Sequence, residues 1–300
     1  MSSAALRLPP QETNPDWAAT LLADGYCIIP DLLPTAKVRA LHEDLRPRLL
    51  QTPFCEGDFF GTRTKRFGGI LKRSPHAAAL VQHPLILDVT QAVLGPYCDN
   101  FQLNLTQVIE IWPGEPEQVP HRDQDMWGGP KGAMEFLVNV MWPFTPFTAE
   151  NGATLVWPGT HGAQCETRPD RSHAISAEMN LGSALLWLGS TLHCGGSNRA
   201  KLPRAGVVIS YSLGWLKPYE NQWLVYPPDI ARRFSPELAA LVGYRQHRPN
   251  LGNYEGQCPS VLLKDHVPEH LHGVDAIREE HVGLLAEYKA YQLSLANGEV

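Results

Sequence analysis

The chain has 300 residues, of which 43% are hydrophobic and 19% charged, so it has an ordinary globular composition and is long enough to bury a sizeable core. Its net charge of −6 gives no electrostatic reason to expect a nucleic-acid partner. No apolar run approaches the roughly 18 residues of a membrane span, and the first residues lack the apolar region of a signal peptide. We therefore expect a cytoplasmic protein without a nucleic-acid or membrane partner, and composition leaves its oligomeric state open.

Residues 14–95 are predicted to form a mainly helical layer. A helix is expected over 14–23, with Asn14 or Asp16 as its cap, followed by a short strand at 26–30. Helical spacing of apolar residues continues over 34–50 and 76–94, and Gly95-Pro96 ends the second of these segments.

Between these helices, residues 51–75 are predicted to form a loop-rich segment with a basic run. The run has no acidic residue between Gly61 and Ser74 and contains five cations, namely Arg63, Lys65, Arg66, Lys72 and Arg73. It is consistent with a solvated face of the protein. It is also consistent with a basic lip that meets an anionic group of a substrate.

After residue 100 the pattern changes to short apolar runs bounded by Gly, Pro and Asn. These runs are rich in β-branched and aromatic residues and predict strands at 101–112, 135–142, 153–157, 184–188 and 206–213. Several short strands with turns between them are typical of a barrel or jelly roll, here over 100–215. The tail, 216–300, is predicted to form helices at 228–241 and 274–293 that pack on this core. The whole chain, 1–300, is thus predicted to be one α+β domain.

The segment 118–127 contains the triplet His121-Arg122-Asp123, which can place two metal ligands side by side. Prolines at 113, 116 and 120 exclude a helix there. In an extended segment, residues i and i+2 point the same way and lie about 6.6 Å apart. His121 and Asp123 can therefore offer one imidazole and one carboxylate to a shared point.

The triplet alone is a weak signal, because 12 His and 13 Asp in 300 residues produce about one H-x-D in every two such chains by chance. A second copy, His42-Glu43-Asp44, is an internal control. It lies in a segment with helical spacing, where residues i and i+2 diverge and cannot share a metal. Of these two triplets, only the one at 121–123 therefore remains a candidate for metal binding.

His193 is the best candidate for a third ligand. With His121 and Asp123 it would complete the two-histidine, one-carboxylate facial triad of non-haem Fe(II) oxygenases. Arg204 follows eleven residues later, and its guanidinium is suited to bind a carboxylate. The loop at 197–203 is expected to turn the strand of Arg204 back alongside the strand of His193. A solvent-exposed loop position is the alternative for Arg204.

An ordered series of motifs carries a resemblance to a known family over about residues 20–260. The matching motifs are Asp24-Gly25-Tyr26, Gln118-x-x-His121-x-Asp123, Asn151-Gly152-Ala153-Thr154, Pro158-Gly159-Thr160-His161, and His193 with Arg204. The chain resembles the phytanoyl-CoA dioxygenase-like family of Fe(II)/2-oxoglutarate oxygenases. The resemblance implies a double-stranded β-helix core, with O2 as cosubstrate and with succinate and CO2 as products.

The resemblance also implies a role for each matching residue. His121, Asp123 and His193 would bind the iron, Arg204 would bind the distal carboxylate of 2-oxoglutarate, and Gln118 and Thr154 would make further contacts with it. Gly195 departs from the pattern, since many members carry a small hydroxyl residue there, which puts one cosubstrate contact in doubt. Because Asp123 is present where related halogenases carry a small residue, hydroxylation or desaturation is the expected reaction.

The aromatic content of 100–215 favours a mostly apolar, medium-sized substrate, such as a secondary metabolite or a lipid-like molecule. The candidate substrate-binding residues are Trp127, Phe136 and Arg66. Two other classes of protein stay open. One is a cupin-like metalloenzyme that does not use 2-oxoglutarate, and the other is a non-catalytic jelly-roll binding module with a structural metal.

Overall fold

Nine strands form two antiparallel sheets in the computed structural model, which describes residues 16–297. The strands are β1 Tyr26–Ile29, β2 Thr64–Gly68, β3 Phe101–Ile111, β4 Leu137–Pro143, β5 Thr154–Val156, β6 Ile175–Ser176, β7 Ala184–Leu188, β8 His193–Gly195 and β9 Arg204–Leu213. The large sheet has the order β1-β7-β4-β9-β3-β2, and the small sheet has the order β6-β5-β8.

Helices precede and follow the strands along the chain. They are α1 Trp17–Asp24, α2 Thr35–Gln51, α3 Ala77–Val81, α4 Pro84–Leu94, α5 Gln222–Val225, α6 Pro228–Ala231, α7 Pro236–Leu241 and α8 Glu279–Ala296. The Asp16 carboxylate accepts from the backbone N–H of Ala19 at 3.0 Å and caps α1, as predicted, whereas the other predicted cap, Asn14, lies outside the described residues. No helix within residues 16–297 has both the length and the hydropathy that a membrane span requires.

The large sheet is buried on both faces, and strand alternation separates its side chains into two cores. In β9, Val207 and Ile209 join the core formed with the helices, whereas Val208 faces the small sheet. Met141 of β4 and Val156 of β5 belong to this second core. The candidate site lies at the same inner face, between the two sheets.

The predicted loop-rich segment 51–75 contains one strand, β2, that the sequence did not indicate. This strand pairs antiparallel with β3, in a register that places Thr64 opposite Ile111 and Phe67 opposite Val108. Lys65 interrupts the alternation of apolar and polar residues by which this strand could be recognised in the sequence. Its side chain is nonetheless buried, and its Nζ donates to the backbone oxygen of Leu49 at 3.3 Å. A basic residue can occupy a buried strand when its amine finds a backbone acceptor.

Proline divides two of the predicted helices. The segment 76–94 is split before Pro84 into α3 and α4, and 228–241 is split before Pro236 into α6 and α7. Proline disfavours helical geometry at the preceding residue and removes a donor.

The tail only partly follows the prediction that it packs on the core. Tyr226, Leu238 and Val242 are buried in the core with the helices. In contrast, α8 has no buried residue. The predicted helix over 274–293 is therefore present at Glu279–Ala296, but it does not pack on the core.

Candidate active site

The two histidines of the predicted triad form a directly opposed cross-strand pair. The N–H of His121 donates to the carbonyl of His193 at 2.9 Å, and the N–H of His193 donates to the carbonyl of His121 at 3.0 Å. Side chains of directly opposed residues lie on the same face, and the centroids of the two rings are 4.5 Å apart. Backbone pairing therefore explains how residues so distant in sequence converge.

Asp123 completes the cluster. Arg122 is extended, with φ −122° and ψ 126°, and Asp123 begins a short 3₁₀ turn over Asp123–Met126. The Asp123 carboxylate oxygens lie 3.6 Å from Nε2 of His121 and 3.4 Å from Nε2 of His193. Two ligand atoms about 2.1 Å from one metal, at right angles, are about 3 Å apart. The three side chains thus fit a metal ion bound on one face.

Hydrogen bonds orient all three side chains. Nδ1 of His121 donates to the carbonyl of Val119 at 2.9 Å, and Nδ1 of His193 donates to the carbonyl of Thr191 at 3.0 Å. Because Nδ1 donates to a carbonyl, Nε2 is the atom of each ring that faces the cluster and can bind a metal. Asn139 donates from Nδ2 to Oδ2 of Asp123 at 2.9 Å and fixes the carboxylate.

The charges within the cluster favour binding of a cation. Burial alone would raise the pKa of Asp123, but the neighbouring His193 and His121 lower this pKa by more than burial raises it. The carboxylate is therefore held ionised. Burial would lower the pKa of His121, but the hydrogen bond and charge of Asp123 outweigh it and raise that pKa above 6.5. A metal ion that binds here therefore displaces a proton held between His121 and Asp123.

Arg204 faces the same cavity and has no acidic partner among residues 16–297. It is 1% exposed, and its Nε and Nη2 donate to the carbonyl of Gly152 at 3.1 and 2.6 Å. Its guanidinium lies 4.2 Å from the ring centroid of Phe147. Burial lowers the pKa of Arg204 to about 9, and the charge of Arg66 lowers it as well. A buried cation of this kind is stabilised by an anionic ligand.

Arg204 lines the cavity, but the strand that carries it pairs with other strands than predicted. It is the first residue of β9, which pairs with β3 and β4 in the large sheet and not with the strand of His193. The loop at 197–203 therefore connects the two sheets. His193 of the small sheet and Arg204 of the large sheet face each other across the space between them.

A cavity of about 440 Å³ contains the triad and Arg204, and Gln118, Thr154 and Arg66 also line it. The rest of the lining is largely apolar and includes Phe59, Ile109, Met126, Leu137, Met141 and Trp187. Pockets for small molecules typically have this size and this mixture of apolar walls with a few converging polar groups.

The predicted cosubstrate contacts Gln118 and Thr154 lie beside Gly195. Gln118 donates from Nε2 to the carbonyl of Phe59 at 3.0 Å, and its Oε1 accepts from the N–H of Gly195 at 3.2 Å. Thr154 is directly opposite Gly195 in the small sheet. A Cβ added at Gly195 would lie 3.5 Å from Oε1 of Gln118, so there is room for the small residue that other family members carry.

Two of the three predicted substrate-binding residues do not line the cavity. Trp127 donates from Nε1 to the carbonyl of Lys217 at 2.9 Å, and Phe136, 4% exposed, packs edge-on against it in the core with the helices. Their neighbours Met126 and Leu137 line the cavity instead. Each predicted residue thus adjoins one that lines the cavity: Met126 is the last residue of the 3₁₀ turn, and Leu137 is the first residue of β4.

Asn139, Phe59 and Phe60 line the cavity but were not predicted from the sequence. Asn139 carried a usable signal, because it is the one amide within the apolar run 135–142. Phe59 lies with its ring centroid 4.9 Å from that of His121 and is 47% exposed. The segment 53–62 has no strand pattern, so nothing in the sequence indicates that it covers the site.

Comparison with known proteins identifies the family. The family model described as phytanoyl-CoA dioxygenase (PhyH) matches residues 21–206. Dioxygenase aneA of Aspergillus aculeatus is 30% identical over 255 residues, which cover 80% of this chain and 85% of that protein. Dioxygenase FrzG of Cladobotryum sp. is 32% identical over 256 residues, covering 75% of this chain and 83% of that protein.

The fold is shared with solved structures. The epimerase SnoN, solved in complex with Fe3+, alpha ketoglutarate and nogalamycin RO, superimposes with a TM-score of 0.55 and 20% sequence identity. The match covers 66% of this chain and 83% of SnoN. The predicted α+β fold with a jelly-roll core is thereby confirmed. The chain therefore belongs to the phytanoyl-CoA dioxygenase (PhyH) family and, as its motifs predict, is an Fe(II)/2-oxoglutarate-dependent dioxygenase.

Proposed function

We propose that this dioxygenase hydroxylates or desaturates a mostly apolar small molecule in the cytoplasm, a secondary metabolite or a lipid-like compound. The observation that carries the proposal is the pairing, in one largely apolar cavity, of a metal-binding triad with a buried guanidinium that has no acidic partner in the described chain. The triad suits Fe(II), and the guanidinium suits a carboxylate ligand.

His121, Asp123 and His193 would hold Fe(II) through two Nε2 atoms and one carboxylate oxygen. Bound iron with 2-oxoglutarate supplies the O2-dependent oxidation that the protein itself cannot perform. The protein residues keep the ligand atoms in place: Asn139 fixes the carboxylate, and the backbone carbonyls of Val119 and Thr191 fix the two rings. Asp123 occupies the position at which related halogenases bind chloride, which favours hydroxylation or desaturation.

Arg204 would bind the distal carboxylate of 2-oxoglutarate, with Thr154 and Gln118 as further contacts. Arg66 also lines the cavity: its Nη1 donates to Oε1 of Gln107 at 3.1 Å, and no described residue accepts from its Nε. Because 2-oxoglutarate has two carboxylates, we propose that Arg66 stabilises the one nearer the metal. Binding to an anionic group of the substrate, as predicted from the sequence, is the alternative role.

The substrate class rests on the cavity walls. Phe59, Met126, Leu137 and Met141 present apolar surface, whereas Asp125, which forms an ion pair with Lys131, borders the cavity on a more exposed side. This arrangement favours a molecule with an apolar body that places one C–H bond close to the metal.

Succinate release tests the proposal. Purified protein supplied with Fe(II), O2 and 2-oxoglutarate should form succinate, and formation should stop when Fe(II) is withheld. Arg204→Met should raise the KM for 2-oxoglutarate by about 100-fold, as expected when one charge-assisted bidentate contact is lost. Arg248→Met is the matched control, because Arg248 binds Asp99 and does not line the cavity.

The two alternatives predict different results. A cupin-like enzyme that does not use 2-oxoglutarate would retain metal-dependent activity on its substrate in Arg204→Met, and a binding module would form no succinate under any condition. Unchanged 2-oxoglutarate kinetics in Arg204→Met would remove the cosubstrate assignment.

A further inference from the structure

Arg122 stands between the ligands His121 and Asp123, yet it is neither a ligand nor a surface residue. It is 4% exposed. Because the backbone is extended at Arg122, its side chain leaves the chain on the side opposite to the two ligands. We propose that Arg122 is a positioning residue that clamps the two ligand-bearing segments to each other and so sets the geometry of the metal site.

The guanidinium of Arg122 binds three backbone carbonyls and has no carboxylate within ion-pair distance among residues 16–297. Nε donates to the carbonyl of Ser190 at 2.8 Å, and Nη2 donates to the carbonyls of Thr160 at 3.3 Å and Thr167 at 2.5 Å. A single side chain thus joins the segment of His121 and Asp123 to two other loops. The planar fork of arginine suits this multiple donation better than the single amine of lysine.

One of the carbonyls that Arg122 binds, that of Ser190, belongs to the segment that holds His193, and Thr160 is hydrogen-bonded to the same segment. Ser190 is adjacent to Thr191, whose carbonyl accepts from Nδ1 of His193. Thr160 accepts at its Oγ1 from the N–H of Leu192 at 3.0 Å, next to His193. Arg122 therefore restrains the backbone that sets both the position and the ring orientation of the third ligand.

The two segments are joined on both sides of the ligand cluster. The reciprocal backbone bonds of His121 and His193 join them at the ligands, and Arg122 joins them on the opposite side. The N–H of Gln124 also donates to the carbonyl of Gly189 at 3.0 Å. Because these backbone bonds remain when Arg122 is replaced, the fold should survive while the three ligand atoms lose their fixed separation.

Metal affinity, measured without turnover, tests the proposal, which rests on the proposed metal site. Co(II) is the probe, titrated anaerobically into metal-free protein and followed by its visible absorption, with the thermal unfolding midpoint of the metal-free protein measured in parallel. Arg122→Met should weaken Co(II) binding by about tenfold or more, the usual effect of removing a group that orients a ligand. Arg122→Lys, which keeps one donor and the charge, should show a smaller loss.

Arg248→Met is the control for the loss of another hydrogen-bonding arginine, because Arg248, whose side chain is 39% exposed, binds the buried carboxylate of Asp99 away from the cavity. It should lower the unfolding midpoint while Co(II) affinity stays within about twofold. The proposal is overturned if Arg122→Met binds Co(II) like the wild type, or if Arg248→Met loses as much affinity as Arg122→Met. Failure of the wild-type protein to bind Co(II) at all would instead overturn the proposed metal site itself.

Discussion

At the scale of single residues, the site combines a buried cation that has no acidic partner within the described protein with a carboxylate whose neighbours are two histidines. Arg204 is buried against a carbonyl and an aromatic ring, while Asp123 is held ionised by two histidines. Both arrangements are costly for a protein without ligands, since a buried charge is stabilised mainly by an opposite charge. A bound metal cation would balance the charge of Asp123, and a bound carboxylate ligand would balance the charge of Arg204. The binding of both ligands should therefore depend on the protonation and charge of these two residues.

Metal affinity should rise with pH. The pKa of His121 is raised above 6.5 by Asp123, and the proton must leave before Nε2 can bind a metal. Affinity should therefore fall as pH drops through this raised pKa, by at most about tenfold per unit for one proton, and level off above it. Co(II) titrations at pH 6, 7 and 8 measure this dependence. An affinity that does not change over this range would show that no proton is displaced.

Replacing Arg66 separates its two proposed roles. Arg66→Met should raise the KM for 2-oxoglutarate by about tenfold in succinate release measured without any substrate, because one carboxylate contact is lost. If the KM is unchanged in the absence of substrate, Arg66 does not bind the cosubstrate, and the role on the substrate predicted from sequence becomes the better explanation. Arg171→Met, at an exposed arginine paired with Glu117, is the control.

At the scale of elements, two of the three triad ligands could be predicted because their geometry is local, whereas strand pairing brings His193 to them. Extended chain at 121–123 places two ligands on one side, and the prolines around it are visible in the sequence. The side chains that face the cavity from other strands were harder to predict. Trp127 and Phe136 each adjoin a residue that lines the cavity, because the side chains that face it depend on the pairing register of β4 and on the turn at 123–126, which short-range sequence patterns do not contain.

Strand β2 shows the same limit. Its sequence, Thr-Lys-Arg-Phe-Gly, has a basic centre that suggests a loop, yet the strand is paired along its length with β3. The side chain of Lys65 finds a backbone acceptor on α2, and Arg66 faces the cavity. These compensations come from tertiary contacts, so propensity alone does not reveal them.

Two adjacent glycines at the end of β8 should respond oppositely to alanine. A Cβ at Gly195 would make ordinary contacts at 3.5 Å, whereas a Cβ at Gly196 would lie 2.6 Å from the backbone oxygen of Ala153. Gly195→Ala should therefore change the free energy of unfolding by less than about 0.5 kcal/mol, and Gly196→Ala should lower it by about 1–3 kcal/mol. Urea denaturation of the two variants measures the difference, and equal stabilities would contradict the packing of the small sheet.

At the scale of the whole molecule, the predicted layers are present but the last helix is not part of the core. The large sheet and the helices α1 to α4, α6 and α7 contribute buried apolar residues to the large core. Helix α8 instead exposes several large apolar side chains, among them Leu284, Tyr288 and Tyr291. The sequence shows that this segment is helical, but whether a helix packs on its own domain depends on surfaces far away in the chain.

Removal of residues 279–300 should therefore change the stability of the monomer little. Because no side chain of α8 is buried, the expected change in the free energy of unfolding is within about 0.5 kcal/mol, or about 2 °C in the unfolding midpoint. Leu238→Ala, at a core residue of α7 that is 4% exposed, is the comparison and should cost about 2–5 kcal/mol. A loss on truncation as large as that of Leu238→Ala would show that α8 covers apolar surface in solution.

A crystal structure of the protein equilibrated anaerobically with Fe(II) and 2-oxoglutarate tests the central claim most directly. We expect one metal ion within bonding distance of Nε2 of His121, Nε2 of His193 and the carboxylate of Asp123, with 2-oxoglutarate bound to it and its distal carboxylate on Arg204. A metal held by other residues, or a cosubstrate carboxylate that makes no contact with Arg204, would contradict it.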